Sequence, residues 1–396
     1  MLSSDLEVKC MDESRRPRRS RYIYNRKQQG IMLTALLLAF VLIFSLVSLI
    51  LPDRETSEAE KRPLAQVPAF SWKALRSGEY FAGWGDYLAD QFVGRDFWIS
   101  LRLGYSRLMG RSESNGVLLC RDHYLMEKPA APDEAAVKRS TDAISAFAGR
   151  HPDLKVFMTA APTAAGIMKS KLPGHIPLRD QLEDIRNLEH SLSGIRFIDV
   201  SPALEAHSDE QLYYRTDHHW TTLGAYYAFE AMAEEMGIVP AADYDIYTVS
   251  STFEGTLAAR SGSHSARDRV QIFAPLPPVD CRVTYPEEGT TTATLYSREA
   301  LDTKDHYTVF FGGNHPRVDI QTNAGTGKNL LIFKDSYANC LVPFLTACYD
   351  KIILIDPRYY YESADSLVSS EKITDVLFLY NINTFHEDTS LAGVLK

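Results

Sequence analysis

An Asp, two His and a Trp follow one another in the stretch YYRTDHHWTTLGAYY. Asp217 and His219 are two positions apart, so in an extended chain they project to the same side and the carboxylate can orient the imidazole. His218 would then point away, and Trp220 would supply an apolar wall. The same residues could instead bind a metal, or form a polar cluster that only fastens a loop. The first arrangement predicts two thirds of a catalytic triad, which then lacks only its nucleophile.

A serine that could complete this triad lies far along the chain, in LLIFKDSYANCLVPFL. Ser336 stands where an apolar strand is expected to turn into a helix, so the following backbone N–H groups can face a developing oxyanion. A serine hydroxyl is a weak nucleophile and needs a base that is itself oriented by a carboxylate. The alternative is that Ser336 only caps the helix, a role that serine favours. Pro343 lies inside the predicted helix, which must therefore be kinked or begin later.

Five apolar runs predict the strands that would carry these residues. The two earlier runs are residues 154–162 and 194–200. The three later runs are residues 329–336, 351–357 and 375–381; they are rich in β-branched residues and are separated by segments of helix length. Their ends carry the polar segments KDSYAN, DPRYY and YNINTF. Strands of this kind are typical of a parallel sheet between helices, whose functional groups cluster at the carboxyl ends of the strands. We therefore predict an α/β fold, a three-layer α/β/α sandwich with a mostly parallel central sheet.

The segments between these strands predict further elements. Residues 72–108 have apolar positions at helical spacing, and NGVLLCRDHYLME predicts a hairpin. The helix that follows the Asp-His-His-Trp run should end at Gly237. Residues 250–328 are irregular and rich in Gly, Ser and Thr, which predicts a partly β insertion with short antiparallel strands.

The N-terminal region predicts a membrane anchor. Seven Arg or Lys and no acid lie between residues 14 and 29, and no charge occurs from Ile31 to Leu51. A helix over residues 31–51 is about 30 Å long, the thickness of a bilayer core, and its basic flank favours the cytoplasmic side. A cleaved signal peptide is the alternative, but no small-x-small site follows the apolar run. With a net charge of −9, the chain is not expected to bind nucleic acid.

This pattern divides the chain into four parts. We predict a basic cytoplasmic tail over 1–29, a transmembrane signal anchor over 30–52, a charged stem over 53–70, and an extracytoplasmic domain over 71–396. The protein would be a single-pass protein of a bacterial cell membrane, with its N-terminus in the cytoplasm.

The five Cys do not indicate a disulfide scaffold. Cys10 would lie in the cytoplasm. Cys340 and Cys348 are expected on one helix about 12 Å apart, too far to be bridged. At most one or two disulfides are possible, and free buried thiols are equally compatible with the sequence.

With both polar segments in view, the chain resembles the DHHW protein family and is similar to the alginate O-acetyltransferases, whose catalytic domains are circularly permuted SGNH hydrolases. The resemblance covers most of residues 55–385, and its most specific part is TDHHWTTLGAY followed later by a strand that ends in KDSYAN. It implies Ser336 as the nucleophile, His219 as the general base and Asp217 as the group that orients it. It implies acyl transfer through an acyl-serine intermediate, without a cofactor or a metal.

The resemblance also implies an oxyanion Asn and Gly and a site for the substrate. Candidates for the oxyanion site are Asn381, Asn383, Asn314, Gly313 and Asn339. Candidates for contact with the substrate are His218, Trp220, Tyr337 and Arg358.

The function that these features indicate is a membrane-anchored, extracytoplasmic O-acyltransferase, which adds acetyl groups to a cell-envelope polysaccharide or exopolysaccharide. By analogy, a multi-pass membrane O-acyltransferase would be the partner that delivers the acyl donor. Two alternatives stay open: a carbohydrate esterase or deacetylase with the same triad, and a non-catalytic envelope scaffold that binds glycan.

Overall fold

The computed structural model describes residues 17–57, 62–174 and 176–396. Of these, residues 17–57 and 62–99 form one compact unit, and residues 100–174 and 176–396 form a second. Residues 1–16 of the predicted cytoplasmic tail, with Cys10, lie outside the described residues. The first unit contains α1 (Pro17–Ile50), β1 (Thr56–Ser57), β2 (Arg62–Pro63), α2 (Trp72–Ser77), α3 (Glu79–Asp90) and the start of α4 (Arg95–Leu108).

The N-terminal apolar run forms a helix, as predicted. Within α1, the segment Arg26–Ser48 has a mean hydropathy of 2.7, and its most apolar part is not buried by the rest of the protein. This helix is long and apolar enough to cross a membrane.

The second unit alternates between strands and helices. Its strands are β3 (Glu113–Ser114), β4 (Val117–Leu119), β5 (Leu125–Glu127), β6 (Lys155–Ala161), β7 (Arg196–Phe197), β8 (Asp243–Phe253), β9 (Asp268–Leu276), β10 (Cys281–Tyr285), β11 (Thr290–Thr292), β12 (Arg317–Thr322), β13 (Asn329–Lys334), β14 (Lys351–Ile355) and β15 (Asp375–Asn381). Its helices are α5 (Glu134–Arg150), α6 (Ala164–Ile167), α7 (Gln181–Ser191), α8 (Ser201–Ala206), α9 (Thr222–Met236), α10 (Thr256–Ser261), α11 (Val342–Leu345), α12 (Ala364–Ser370), α13 (Ile382–Glu387) and α14 (Leu391–Val394).

Eight strands form one mixed sheet, in the order β11-β10-β12-β14-β13-β15-β6-β7. The five strands predicted from apolar runs are its parallel part, β14-β13-β15-β6-β7. The other three come from residues 281–322 and pair antiparallel at the β14 edge. The predicted α/β class is therefore confirmed, but the sheet is mixed, because part of the region predicted as an insertion joins it.

Both faces of the sheet are buried, which explains the continuous apolar runs. Along β13, Leu330 and Ile332 belong to one hydrophobic cluster, whereas Leu331 and Phe333 belong to another, because successive side chains alternate between faces. Helices α6, α8 and α9 contribute to the first cluster, and helices α5, α7 and α12 to the second.

Several local predictions are confirmed and one is wrong. β4 and β5 form the predicted hairpin, and α9 ends at Gly237 in a left-handed conformation with φ 62°. Cys340 and Cys348 do not share a helix, because a short 3₁₀ turn and α11 take the place of the one expected. All four Cys of the described residues are free thiols.

Candidate active site

Ser336 opens a 3₁₀ turn, Ser336–Cys340, directly after the carboxyl end of β13. The side chain that caps this turn belongs to the buried Asp335, whose Oδ1 accepts a hydrogen bond from the Tyr337 N–H at 2.9 Å. Its Oδ2 accepts another from the Asn381 N–H at 2.8 Å and so ties the turn to the end of β15. The alternative in which Ser336 itself is the cap is therefore wrong. Pro343 lies in the first turn of α11, where proline is well tolerated.

Asp217 and His219 lie in a tight turn rather than in an extended strand. The His219 N–H donates to Asp217 Oδ1 at 3.1 Å, and Nδ1 of the same His lies 2.6 Å from that oxygen. Because the chain turns here, His218 does not point away as predicted: its Nδ1 lies 3.5 Å from Asp217 Oδ1. The pairing of Asp217 with His219 was predicted, but it arises from a turn.

The turn and the sheet bring the three predicted residues together. His219 Nε2 lies 2.7 Å from Ser336 Oγ, while Nδ1 faces Asp217 on the other side of the ring. Asp217 and His219 are buried, whereas Ser336 is half-buried. The result is a continuous Asp–His–Ser hydrogen-bond chain, the arrangement in which an imidazole can take a proton from a hydroxyl.

Two residues of the irregular region hold Asp217 in place. Its Oδ2 accepts hydrogen bonds from Thr256, at 2.7 Å from the backbone N–H and at 3.0 Å from Oγ1. Gly255 packs so tightly that a Cβ added there would lie 2.2 Å from Asp217 Cβ. The glycine is required by space, since its φ of −85° is open to any residue.

Tyr307 connects the imidazole with the serine backbone. Its ring stacks on that of His219, with centroids 3.8 Å apart and an angle of 14° between the planes. Its hydroxyl donates to the carbonyl oxygen of Ser336 at 2.8 Å. Tyr307 therefore fixes the plane of the imidazole and the position of the serine at once.

The electrostatics favour an ionised Asp217 beside a neutral His219. Burial, together with a smaller electrostatic effect of His218, lowers the pKa of His219 to about 4 against the opposing effect of Asp217. Burial alone would raise the pKa of Asp217, but His218, His219 and the Thr256 N–H hold it well below its usual range. At neutral pH the imidazole is thus in the form that a general base requires.

The oxyanion candidates differ in whether their side-chain amide N–H groups already donate a hydrogen bond within the protein. Asn383 Nδ2 donates to the Lys128 carbonyl at 3.1 Å, and Asn339 Nδ2 donates to Asn314 Oδ1 at 3.2 Å. Asn381 is buried, and its Nδ2 has no hydrogen-bond partner among the described residues.

The other two oxyanion candidates, Gly313 and Asn314, belong to a turn beside a buried lysine. Lys334 Nζ donates to Asn339 Oδ1 at 2.7 Å and lies 3.4 Å from Asn314 Oδ1. Burial lowers the pKa of Lys334 to about 8. Gly313 has a φ of 125°, which explains a glycine at this turn.

Two of the four predicted substrate contacts are core residues. Trp220 is fully buried and donates from Nε1 to the Tyr337 carbonyl at 2.9 Å, and the Tyr337 hydroxyl donates to the His218 carbonyl. Both rings fill the interior behind the triad. His218 and Arg358 line a cavity beside it.

The metal alternative has a geometric basis in the same turn. Ligand atoms of Asp217, His218 and His219 lie within 4.8 Å of one another. In the hydrogen-bonded arrangement, however, both nitrogens of His219 already face Asp217 and Ser336.

Sequence reasoning missed Gly255, Thr256 and Tyr307, which surround the buried pair. None of them belongs to a periodic pattern, and all lie in the region predicted as an insertion. The one available signal was composition, because the Gly, Ser and Thr of this region are typical of turns.

Comparisons with known proteins bear on the family and the fold. The model of the DHHW protein family matches residues 196–355. A DHHW family protein from Eubacterium siraeum is 27% identical, with a TM-score of 0.64, over 71% of this chain and 95% of that one. PatB1 from Bacillus cereus, solved with a sulfonyl adduct, is 20% identical with a TM-score of 0.59, over 71% of this chain and 100% of that one.

More distant is the O-acetyltransferase domain of Pseudomonas putida AlgJ, which is 16% identical with a TM-score of 0.44, over 70% of this chain and 94% of that one. No curated protein sequence matches the chain. The resemblance to the DHHW protein family predicted from the sequence is confirmed.

Proposed function

We propose that the protein is a serine-dependent O-acetyltransferase with an SGNH-type sandwich, which acts on a cell-envelope polysaccharide or exopolysaccharide. The observation that carries this proposal is the single imidazole of His219, which lies within hydrogen-bond distance of Asp217 on one side and Ser336 on the other.

Each residue of the hydrogen-bond chain has a role in the proposed reaction. His219 takes the proton of Ser336 as Oγ attacks the acyl carbon of the donor, and the same proton then passes to the leaving group. Asp217 stabilises the imidazolium that forms in between. A hydroxyl of the glycan next attacks the acyl-serine and gives its proton to His219, which returns it to Oγ as the acyl bond to the serine breaks.

Asn381 is the candidate that we favour for the oxyanion site. A buried N–H donor without a partner is costly, and it is stabilised when charge develops on a nearby oxygen. Its Nδ2 is such a donor, and its backbone N–H is joined through Asp335 to the turn that carries Ser336.

The proposed location follows from α1. With its basic flank in the cytoplasm, the helix would anchor the protein in the cell membrane and leave the triad outside. An acetyl donor must then be supplied from across the membrane, and a multi-pass membrane O-acyltransferase is the class of partner that could deliver it.

Two other functions use the same fold. An esterase or deacetylase would share the triad and differ only in whether water or a sugar hydroxyl accepts the acyl group. A glycan-binding scaffold has no need of the Asp–His–Ser chain, so the complete chain favours catalysis. A metal-dependent mechanism predicts inactivation by EDTA and recovery with a divalent ion, whereas our proposal predicts no effect of the chelator.

The proposal is tested by trapping the acyl-serine. The full chain, purified in detergent, is incubated with p-nitrophenyl acetate, quenched in acid and digested, and the peptides are weighed by mass spectrometry. We expect one acetyl group on the peptide that contains Ser336, and none in Ser336→Ala, which should also release p-nitrophenol at least about a thousandfold more slowly.

Ser369→Ala provides a matched control, because Ser369 is exposed on α12 and far from the triad in sequence. It should keep both the adduct and the rate. Normal turnover in Ser336→Ala, or an acetyl group at a different residue, would exclude Ser336 as the nucleophile.

A further inference from the structure

A polar cavity of about 630 Å³ lies beside the triad. His218, whose ring centroid is 3.9 Å from that of His219, connects the cavity with the base, and Asn381 connects it with the turn of Ser336. The remaining walls come from the β4–β5 hairpin, α10, the loop after β14, and α13 with the loop that follows it. The cavity is therefore adjacent both to the base and to the turn that carries Ser336.

Every Arg and Lys that lines this cavity is already paired with an acid. Arg358 donates to both oxygens of the fully buried Asp356, at 2.9 and 2.6 Å. Arg260 lies 3.0 Å from Glu127, a second residue of the wall. A bidentate pair with a buried carboxylate is held firmly, so the charge of its cation is already balanced within the protein.

The third cation of the wall, Lys128, is also paired with an acid, whereas two acids of the wall have no cation as a partner among the described residues. Lys128 Nζ lies 2.5 Å from Glu113. Glu387 and Asp388, in contrast, form no ion pair with any described residue. Asp388 is 8% exposed, and its Oδ2 has no hydrogen-bond partner there. Its other oxygen accepts from the Ser390 N–H at 2.6 Å, which fixes the orientation of the carboxyl group.

From this balance of charges we infer that the acceptor is a neutral or amino-bearing glycan and not a polyuronate. A chain of sugar carboxylates would meet two unpaired acids and, among the described residues of the wall, no unpaired Arg or Lys. A neutral sugar meets no such repulsion, and a sugar ammonium is attracted by both acids. This inference rests on the proposed function, because it concerns the acceptor of the same acyl-serine.

The test compares three acceptors that share one sugar ring. With p-nitrophenyl acetate as donor and the full chain in detergent, the acyl-serine partitions between water, which yields acetate, and a sugar hydroxyl, which yields an acetylated sugar. The acceptors are methyl α-D-glucopyranoside, methyl α-D-glucuronoside and D-glucosamine. The ratio of acetylated sugar to acetate does not depend on how fast the acyl-serine forms.

We expect the glucoside and glucosamine to be acetylated about fivefold more efficiently than the glucuronoside at low salt, the scale of a partly exposed charge interaction. In the double variant Glu387→Gln, Asp388→Asn this preference should fall to less than about twofold. Asp302→Asn is the control, because Asp302 is an exposed acid in a different part of the sequence, and it should keep the preference.

The dependence of the acceptor preference on salt provides a second readout, because a preference that arose from the shape of the cavity alone would not change with salt. Charge interactions are screened within about 8 Å at 0.15 M salt, so the preference of the native protein should shrink as NaCl is added. A glucuronoside acetylated as well as the glucoside, or a preference unchanged by the double variant, would overturn the inference. Acetate release without transfer to any of the sugars would also overturn it and leave the triad intact, whereas absence of turnover would refute the proposed function itself.

Discussion

The two halves of the triad are positioned by different kinds of structure. Ser336 follows β13, which is hydrogen-bonded on both sides to parallel strands at the centre of the sheet. His219 lies in a turn without regular structure, held by Gly255, Thr256 and Tyr307 from distant parts of the sequence. The strand that leads into Ser336 is therefore placed by backbone hydrogen bonds that many sequences can form. The base half depends on a few side chains, each of which can be removed singly.

The base turn has one further anchor outside the triad. The buried Asp268, at the start of β9, accepts hydrogen bonds from the backbone N–H groups of Arg215 and Thr216, at 3.0 and 2.8 Å. Thr216 Oγ1 in turn accepts from the Gly255 N–H at 3.0 Å. The turn and the loop that supports it are thus joined on both sides of Asp217, so a change in the loop should alter the position of the triad carboxylate.

Gly255→Ala should cause the largest fall in kcat, because it disturbs the tightest contact of the turn that holds Asp217 and His219. The new methyl group would lie 2.2 Å from Asp217 Cβ and 2.4 Å from Oδ2, so the acid must move. A displacement of about 1 Å in a catalytic group costs about a hundredfold in rate, which we expect in kcat for p-nitrophenyl acetate. Circular dichroism and a melting curve would show how much of the protein remains folded.

Gly149→Ala is the matched control. Gly149 lies in α5, and a Cβ there meets nothing within 4 Å, so alanine should be tolerated or slightly stabilising. If Gly255→Ala kept full activity, the base half would be as tolerant as the serine half, and the contrast between them would fail.

Tyr307 allows the two contacts of one side chain to be separated. Tyr307→Phe keeps the ring on His219 and removes only the hydrogen bond to Ser336, whereas Tyr307→Leu removes both. An aromatic face stabilises a cation by about 0.5–2 kcal/mol, and the imidazolium of the transition state is such a cation. We therefore expect kcat to fall about tenfold in the Leu variant and only a few-fold in the Phe variant.

The pH profile distinguishes these effects. His219 must be neutral to act as a base, and burial lowers its pKa to about 4. The activity should thus persist below pH 6.5 and be lost only as the pH approaches about 4. Loss of the stacked ring makes protonation harder, so the acid limb should move to lower pH in the Leu variant and stay in place in the Phe variant. A limb at the same pH in all three proteins would limit Tyr307 to a packing role.

The same contrast explains which features could be predicted from the sequence. The five parallel strands were recognised because burial on both faces leaves a continuous apolar run, and their carboxyl ends located Ser336 and Asn381. The pairing of Asp217 with His219 was found from spacing. The antiparallel strands β10–β12 joined the sheet at an edge that no local pattern specifies. The burial of Trp220 and Tyr337 could not be predicted, because an aromatic residue beside a polar motif has the same sequence signature whether it faces the substrate or the core.

Thr256→Val tests the smallest contribution to the base half. The substitution is nearly isosteric and removes the Oγ1 donor to Asp217 Oδ2, while the backbone N–H of residue 256 still donates to that oxygen. It also removes the hydroxyl that lies 2.9 Å from His218 Nδ1. Because one of the two donors to Asp217 Oδ2 remains, we expect only about a threefold to tenfold fall in kcat, measured with p-nitrophenyl acetate.

Thr252→Val is the control, since Thr252 is exposed on β8 and its replacement should leave kcat unchanged. The combined variant Gly255→Ala, Thr256→Val tests whether the two residues act on the same carboxylate. If both residues act on the same carboxylate, the double variant should be hardly slower than Gly255→Ala alone, because the displaced Asp217 has already lost its donors. Fully multiplicative effects would mean that Thr256 acts through His218 and not through the acid of the triad.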